Sequence, residues 1–384
     1  MRIAQVAPLE ESVPPKLYGG TERVVCWLID ELIELGHEVC LFASADSGTR
    51  AKLVPCWPRA MRLNQARSNP AAAYAVLLQT VAAAAPDFDV IHCHLDWLHL
   101  PLLQRLGVPF VTTLHGRLDH PDLSAVVRSF PQAPFVSISD HQRTALPNGA
   151  WLGTVHHGLP GRMFRLDAEP EDYLAFLGRI CPEKGPDVAI RLAQRTGRRL
   201  KIAAKTPRRE ARYFQTRVAP LIDGQQIELV GEIGDAGKPQ FLGKAAALLF
   251  PIDWPEPFGL VMIEAMACGT PVIAFRRGSV PEIVEDGVSG FIVESEAEAV
   301  AAIGRLHELD RREVRWAFER RFTARRMAEA YLAHYQAIGP GRAAAREYAQ
   351  PAQSRDWAAA LPIREPELDS PRFLSGKVQP ETGQ

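Results

Sequence analysis

The feature that most limits what this chain can fold into is a pattern that begins twice. Near the N-terminus an apolar run, residues 2–8, leads into a loop holding Tyr18-Gly19-Gly20-Thr21. Val24, Val25, Leu28, Ile29, Leu32 and Ile33 then recur at helical spacing, and Gly36 precedes a second apolar run, HEVCLFAS. Near residue 173 the pattern restarts with YLAFLGR, a loop carrying Pro182-Glu183-Lys184-Gly185, a helix through Val188, Ile190, Leu192 and Ala193, then Gly197 and RLKIAAK. Unbroken apolar runs of strand length suit a sheet covered on both faces, and a helix between two of them is the crossover that parallel strands need. DVIHCH, PFVTTLH and FVSIS extend the first set, and IELVGE, ALLFPI, PVIAFR and GFIVE extend the second. The fold class is therefore α/β, two facing Rossmann-like domains with parallel sheets and a cleft between them. A chain of 384 residues also exceeds what one hydrophobic core usually organises.

Composition excludes several classes of protein. A formal net charge of -1 argues neither for nor against nucleic acid, and no nucleic-acid partner is expected. No run of about 18 apolar residues is present, and MRIAQVAPLE lacks the apolar stretch and cleavage site of a signal peptide. The six cysteines stand singly inside apolar segments with no C-x-x-C pair, as in a reduced, cytoplasmic protein.

The most informative stretch is Glu256–Ala274, EPFGLVMIEAMACGTPVIA. Pro255 and Pro257 hold an extended approach, and a helix begins near Phe258-Gly259, with Leu260 following. Glycine lets a ligand approach the backbone, and the N–H groups of a first helical turn are free to bind an anion. Glu264 lies two turns beyond Glu256, so a diphosphate on those N–H groups would have one acid near each end. A mostly apolar helix does not casually bury a Glu, which weakens the plain alternative of two solvated carboxylates. Arg179 and Lys184 flank a strand-to-helix loop at the carboxyl edge of a parallel strand, where ligands of such sheets bind.

These motifs resemble glycosyltransferase family 4, the retaining enzymes of GT-B fold, whose hallmark is E-x7-E in a setting like that of Glu256 to Ala274. The resemblance continues through GRICPEKGPDVAI and GSVPEIVEDGVSGFIV, with Glu282 and Gly290 in the expected places, and spans roughly residues 1–338. It implies an N-terminal acceptor domain over 1–158 and a nucleotide-sugar donor domain over 159–318. A C-terminal helix, 319–338, would pack back on the first domain, and 339–384 read as a mostly disordered tail. It further implies retaining transfer of a hexosyl group from a nucleotide-diphosphate sugar, most often a UDP-sugar, to an acceptor hydroxyl, without a metal or other cofactor. The acceptor would be a small molecule, a lipid-linked sugar or a polysaccharide precursor.

The resemblance assigns residues as well. Glu256, His115, Arg179 and Lys184 would be catalytic. Gly19, Gly20, Arg179, Lys184, Lys205, Glu256, Phe258, Gly259, Leu260 and Glu264 would bind the donor, with Glu256 on sugar hydroxyls and Glu264 on the ribose. Lys205 stands where many family members carry Gly. No carboxylate stands out in the N-terminal half as a nucleophile or base, which favours front-face substitution. Closure about a linker near Gly158 would expel water.

Three other features have competing readings. Alternation places His92, His94 and Asp96 on one strand face as a formal metal triad, but packing or acceptor contact is favoured, and His156 and His157 read as structural. The stretch Arg191–Arg217 carries ten cations against the single acid Glu210. Its plain reading is a solvated basic face and its sharper one peripheral attraction to an anionic membrane or acceptor. Among rival functions, a dehydrogenase is disfavoured because the first loop reads LYGGTERVV rather than G-x-G-x-x-G. A sugar-nucleotide epimerase of the same architecture and a non-catalytic nucleotide-sugar-binding protein are the remaining alternatives.

Overall fold

The computed structural model describes residues 1–16, 19–62, 69–206 and 208–339. The tail expected over 339–384 thus lies almost wholly outside the described residues, as does Tyr18 of the glycine loop. The first sheet contains β1 (Arg2–Val6), β2 (Glu38–Ser44), β3 (Lys52–Trp57), β4 (Val90–Cys93), β5 (Phe110–Thr113), β6 (Phe135–Ser137) and β7 (Trp151–Thr154). Its order is β3-β2-β1-β4-β5-β6-β7. The second contains β8 (Tyr173–Arg179), β9 (Arg199–Lys205), β10 (Ile227–Gly231), β11 (Ala247–Phe250), β12 (Val272–Phe275) and β13 (Gly290–Val293), ordered β10-β9-β8-β11-β12-β13. All neighbouring strands run parallel. Each order reverses once, between β1 and β4 and between β8 and β11. Loops at the carboxyl ends of those strands diverge and leave a crevice, the place where open parallel sheets bind ligands.

Two strands escaped the sequence reading. β3 carries Pro55 and alternates buried with partly exposed residues along KLVPCW, and β7 is short and partly exposed, so neither shows a long apolar run. Both are edge strands, where Pro is tolerated and burial is incomplete. The strongly helical stretch from Arg311 also divides, into helices Arg311–Arg321 and Ala324–Ile338, so the last helix begins five residues after the expected 319. Thr323 caps the second helix by accepting from Arg326 N, and the interdomain linker fits the gap: Leu159 N donates to Phe322 O and Ala324 N to Leu159 O. A Cβ on Gly158 would lie 2.3 Å from Thr323 O, so the hinge glycine is there for close approach.

The final helix packs on the helix Gly20–Glu34 of the first domain. Tyr331 and Tyr335 are fully buried there, each contributing roughly 1.5–3 kcal/mol by the usual area relation. Among the described residues no helix is long and apolar enough to cross a membrane, and all six cysteines are free thiols.

A second tie between the domains is Glu282, whose carboxylate accepts from the amides of Asp140 and His141, both at 2.7 Å, and meets His156 Nε2 at 3.2 Å. Burial pushes this carboxyl up, but the histidine and the two amides outweigh it, so its pKa lies below the usual glutamate value. Glu282→Gln is expected to remove about 1–3 kcal/mol. A thermal melt at pH 7 should show an unfolding temperature several degrees lower, and an unchanged melt would mean that the tie contributes nothing.

Candidate functional site

Between the two sheets lies a cavity of about 820 Å³. Every residue expected to act on the donor lines it: Gly19, Gly20, His115, Arg179, Lys184, Lys205, Glu256, Phe258, Gly259, Leu260 and Glu264. Most arrive at the two strand-order reversals, while Lys205 ends β9 and His115 follows β5. The glycine loop follows β1, Arg179 ends β8, Lys184 follows it, and Glu256 follows β11. Arg179 and Lys205 are register partners on β8 and β9, which sets two cations side by side at one sheet edge. The two special loops face each other across the cleft: a Cβ on Gly20 would lie 3.7 Å from Leu260 Cδ1.

The element expected to bind the anion is the helix Leu260–Ala267. Gly259 precedes it at φ 82, a left-handed conformation that aims the first turn at the cavity and would strain any residue with a Cβ. Leu260 and Val261, whose N–H groups have no partner within an α-helix, line the cavity wall. Gly278, at φ 56, holds the chain before this helix: its Cβ would meet Glu256 N at 2.3 Å. Ser279 secures the same segment, its amide donating to Glu256 O at 3.0 Å and its hydroxyl to Phe258 O at 2.8 Å.

Both acids are buried and paired. Glu256, 7% exposed, accepts from Lys184 Nζ and, at 2.9 Å, from Trp254 Nε1. The Lys184 ammonium also lies 4.6 Å from the centre of the Trp254 ring. Glu264, 3% exposed, accepts from Lys238 Nζ at 2.7 Å. Neither Trp254 nor Lys238 was found from the sequence. Trp254 sits in DWPEPF two residues before Glu256, a position that a search for aromatic donors beside the motif would have reached. Lys238 opens the short helix Lys238–Gly243 as a single lysine, with no local signal.

The wall from the first domain is built of histidines. His115 Nε2 lies 2.8 Å from His94 Nδ1, and His94 Nε2 lies 2.9 Å from Gln5 Oε1. His157 stacks on His115 at 5.2 Å and meets the Phe258 ring edge-on at 4.9 Å. The two histidines beside the linker, expected to be structural, sit in different surroundings. His156 joins the Glu282 tie, whereas His157 lines the cavity. Burial pushes His115 down to about 3 and His94 and His157 well below the ordinary imidazole value, so all three are neutral at pH 7.

The formal metal triad does not form. Strand geometry ends at Cys93, and Asp96 turns to φ 53, so the alternation that would align it with His92 and His94 is broken. His92 uses Nδ1 on Tyr335 and Nε2 on Thr113, leaving neither nitrogen for a metal. Among the described residues no group of three His, Cys, Asp or Glu side chains is arranged to hold one.

One further expectation changes. Carboxylates do reach the first-domain wall, namely Glu10, Glu22 and Asp96. Glu10 is committed to the Tyr74 hydroxyl at 2.6 Å, and burial raises the Glu22 carboxyl. Five of the ten cations in the basic stretch are answered by acids outside it: Arg191 by Asp187 and Glu296, Arg195 by Glu296, Arg198 by Asp172, Lys201 by Glu171 and Arg217 by Asp187. That pairing favours the plain reading over membrane attraction.

Comparison with known proteins agrees with this architecture domain by domain. Residues 18–145 match the family model Glycosyltransferase Family 4, and residues 163–321 match Glycosyl transferases group 1. A D-inositol 3-phosphate glycosyltransferase of Mycolicibacterium gilvum is 27% identical over 338 residues, 72% of this chain and 74% of that one. Its counterpart from Frankia alni is 28% identical over 344 residues, 72% and 82% of the two chains. Among solved structures, AviGT4, a glycosyltransferase involved in avilamycin A biosynthesis, is 26% identical with a TM-score of 0.68, covering 88% of this chain and 98% of that one. HepE of Anabaena, solved with UDP-glucose, shares the fold at a TM-score of 0.67 and 19% identity, over 88% of this chain and 100% of that one. With both domains matched, the chain is a family 4 glycosyltransferase of the GT-B fold.

Proposed function

We propose that the chain transfers a hexosyl group, with retention of anomeric configuration, from a UDP-sugar to a hydroxyl acceptor. The observation that carries this is the convergence on one cavity of a helix start, two buried acids and three cations. The diphosphate would lie on the amides of Leu260 and Val261 with Arg179, Lys184 and Lys205 around it, each charge-assisted contact contributing about 1.5–3 kcal/mol. Glu264 would accept from the ribose hydroxyls and Glu256 from those of the sugar. His115, neutral beside Gly116, would contact the sugar from the first domain.

Transfer then needs no protein nucleophile. The bond from the anomeric carbon to the β-phosphate oxygen breaks as the bond to the acceptor oxygen forms on the same face, and the acceptor proton passes to the leaving phosphate. The cations stabilise the charge that develops there, and no metal is required. Asp96 on the cavity wall makes double displacement the second reading, and a trapped glycosyl-enzyme would establish it in place of the first. Relatives named for inositol 3-phosphate make a phosphorylated cyclitol the first acceptor to try.

A thermal-shift panel of UDP-, GDP- and ADP-sugars tests donor choice, with UDP-sugars expected to raise the melting temperature most. Glu264→Gln should weaken that donor about 10- to 100-fold, since a hydrogen bond to a charged group is lost. A response to no nucleotide sugar would remove the proposal.

A further inference from the structure

The acid expected to hold the ribose does not stand alone. Glu264 Oε1 accepts from Lys238 Nζ at 2.7 Å, and the same ammonium lies 3.4 Å from Asp235 Oδ1. Asp235 Oδ2 in turn accepts from Arg23 Nε at 2.9 Å, and Arg23 Nη1 donates to the carbonyl of Gly19 at 3.3 Å. Four alternating charges thus run from the helix Leu260–Ala267 in the second domain to the glycine loop of the first. The two ends are well enclosed, with Glu264 4% and Arg23 8% exposed at their side chains.

The sign of the charges makes the arrangement conditional on domain docking. Within the second domain alone, Glu264, Lys238 and Asp235 sum to one negative charge. Only Arg23, from the helix Gly20–Glu34 across the cleft, completes neutrality. Separating the domains would break the Arg23–Asp235 pair, whose guanidinium is 8% and whose carboxylate is 30% exposed in the docked arrangement. Lys238 engages Oε1 of Glu264, leaving Oε2 for a ribose hydroxyl, and it holds the carboxylate at the cavity edge.

We propose that Lys238, Asp235 and Arg23 are positioning residues that join nucleoside binding at Glu264 to docking of the Gly19-Gly20 loop. Lys238 orients the ribose acid, and Arg23 ties that orientation to the loop facing the diphosphate. Donor binding and closure of this end of the cleft are then one event. Arg23 acts on donor affinity without touching the nucleoside acid. The inference rests on the donor-site reading above.

The test measures UDP-sugar dissociation constants, kcat and melting temperature for Lys238→Met, Arg23→Met and Asp235→Asn, singly and in pairs. Lys238→Met is expected to weaken donor binding at least 10-fold. Arg23→Met and Asp235→Asn should weaken it at least 3-fold, with kcat at saturating donor held within 3-fold. The Lys238→Met/Arg23→Met pair should be weaker by clearly less than the product of the singles, because both break one connected unit. Should Arg23→Met fail to fold, Asp235→Asn cuts the same link with an isosteric side chain. A native melt together with wild-type donor affinity in Arg23→Met and Asp235→Asn overturns the coupling while leaving the donor site intact. Unchanged donor affinity in both Glu264→Gln and Lys238→Met would overturn the donor site itself.

Discussion

Lowering the pH from 7 to 5 is expected to cost this protein most of its folding stability. Five histidines, His92, His94, His99, His115 and His157, are held neutral because burial disfavours the imidazolium, and His99 and His115 are pushed down to about 3. Unfolded, each would titrate near its ordinary value of about 6.5. Between that value and the depressed one the unfolded chain binds the extra proton, so stability is fully present above about pH 6.5 and lost as pH falls through the window. One such group loses up to about 1.4 kcal/mol per pH unit, and five acting together approach about 7 kcal/mol per unit, against a usual total of about 5–15 kcal/mol. Glu11 and Glu22 work in the opposite direction, since burial raises their carboxyls and the native state takes up those protons first. Thermal melts followed by circular dichroism from pH 8 to pH 5 in half-unit steps provide the check. The melting temperature should be level above pH 7 and fall steeply below 6. A level profile down to pH 5 would refute the neutral buried imidazoles.

Glu256→Gln is expected to lower kcat on the order of 10²-fold while leaving donor affinity nearly unchanged. The carboxylate is the shared acceptor of Lys184 and Trp254, and its backbone is clamped by Gly278 and Ser279. A neutral amide of the same shape still fills the space but no longer draws the ammonium. Lys184 would then lose its fixed place beside the breaking bond, and a misplacement of about 1 Å carries an effect of that size. Steady-state kinetics with varied donor separates the outcomes. A kcat within a few-fold of wild type would show that Glu256 has no part in transfer, whereas a rise in KM alone would move it to the binding role expected of Glu264.

These two effects differ in how visible they were beforehand. Glu256 stands in a motif that can be recognised in one line of residues, because a helix start that binds an anion needs its Pro, Gly and acid within a few positions of one another. The histidine wall could not be recognised that way. His94, His115 and His157 come from three separate loops, and only the parallel order β1-β4-β5 brings Gln5, His94 and His115 into hydrogen-bonding line.

What the amino-acid order decided by itself was the α/β class and the two-fold repetition of strand, special loop and helix, and it singled out the loop Glu256–Glu264 proposed to hold the donor; all of these rest on short-range spacing. Edge strands β3 and β7 and the break at Thr323 were hidden, because partial burial and a linker docking from residue 159 leave no periodic trace. The basic stretch shows the same division: ten cations could be counted in the chain, but the acids that neutralise many of them lie as far away as Glu296. Lys238, Asp235 and Arg23 were likewise a tertiary matter, since Arg23 and Asp235 are 212 positions apart and meet only because two sheet edges face each other. Local conformational preference is written residue by residue, whereas charge pairing across a cleft depends on which strand ends the fold sets opposite one another.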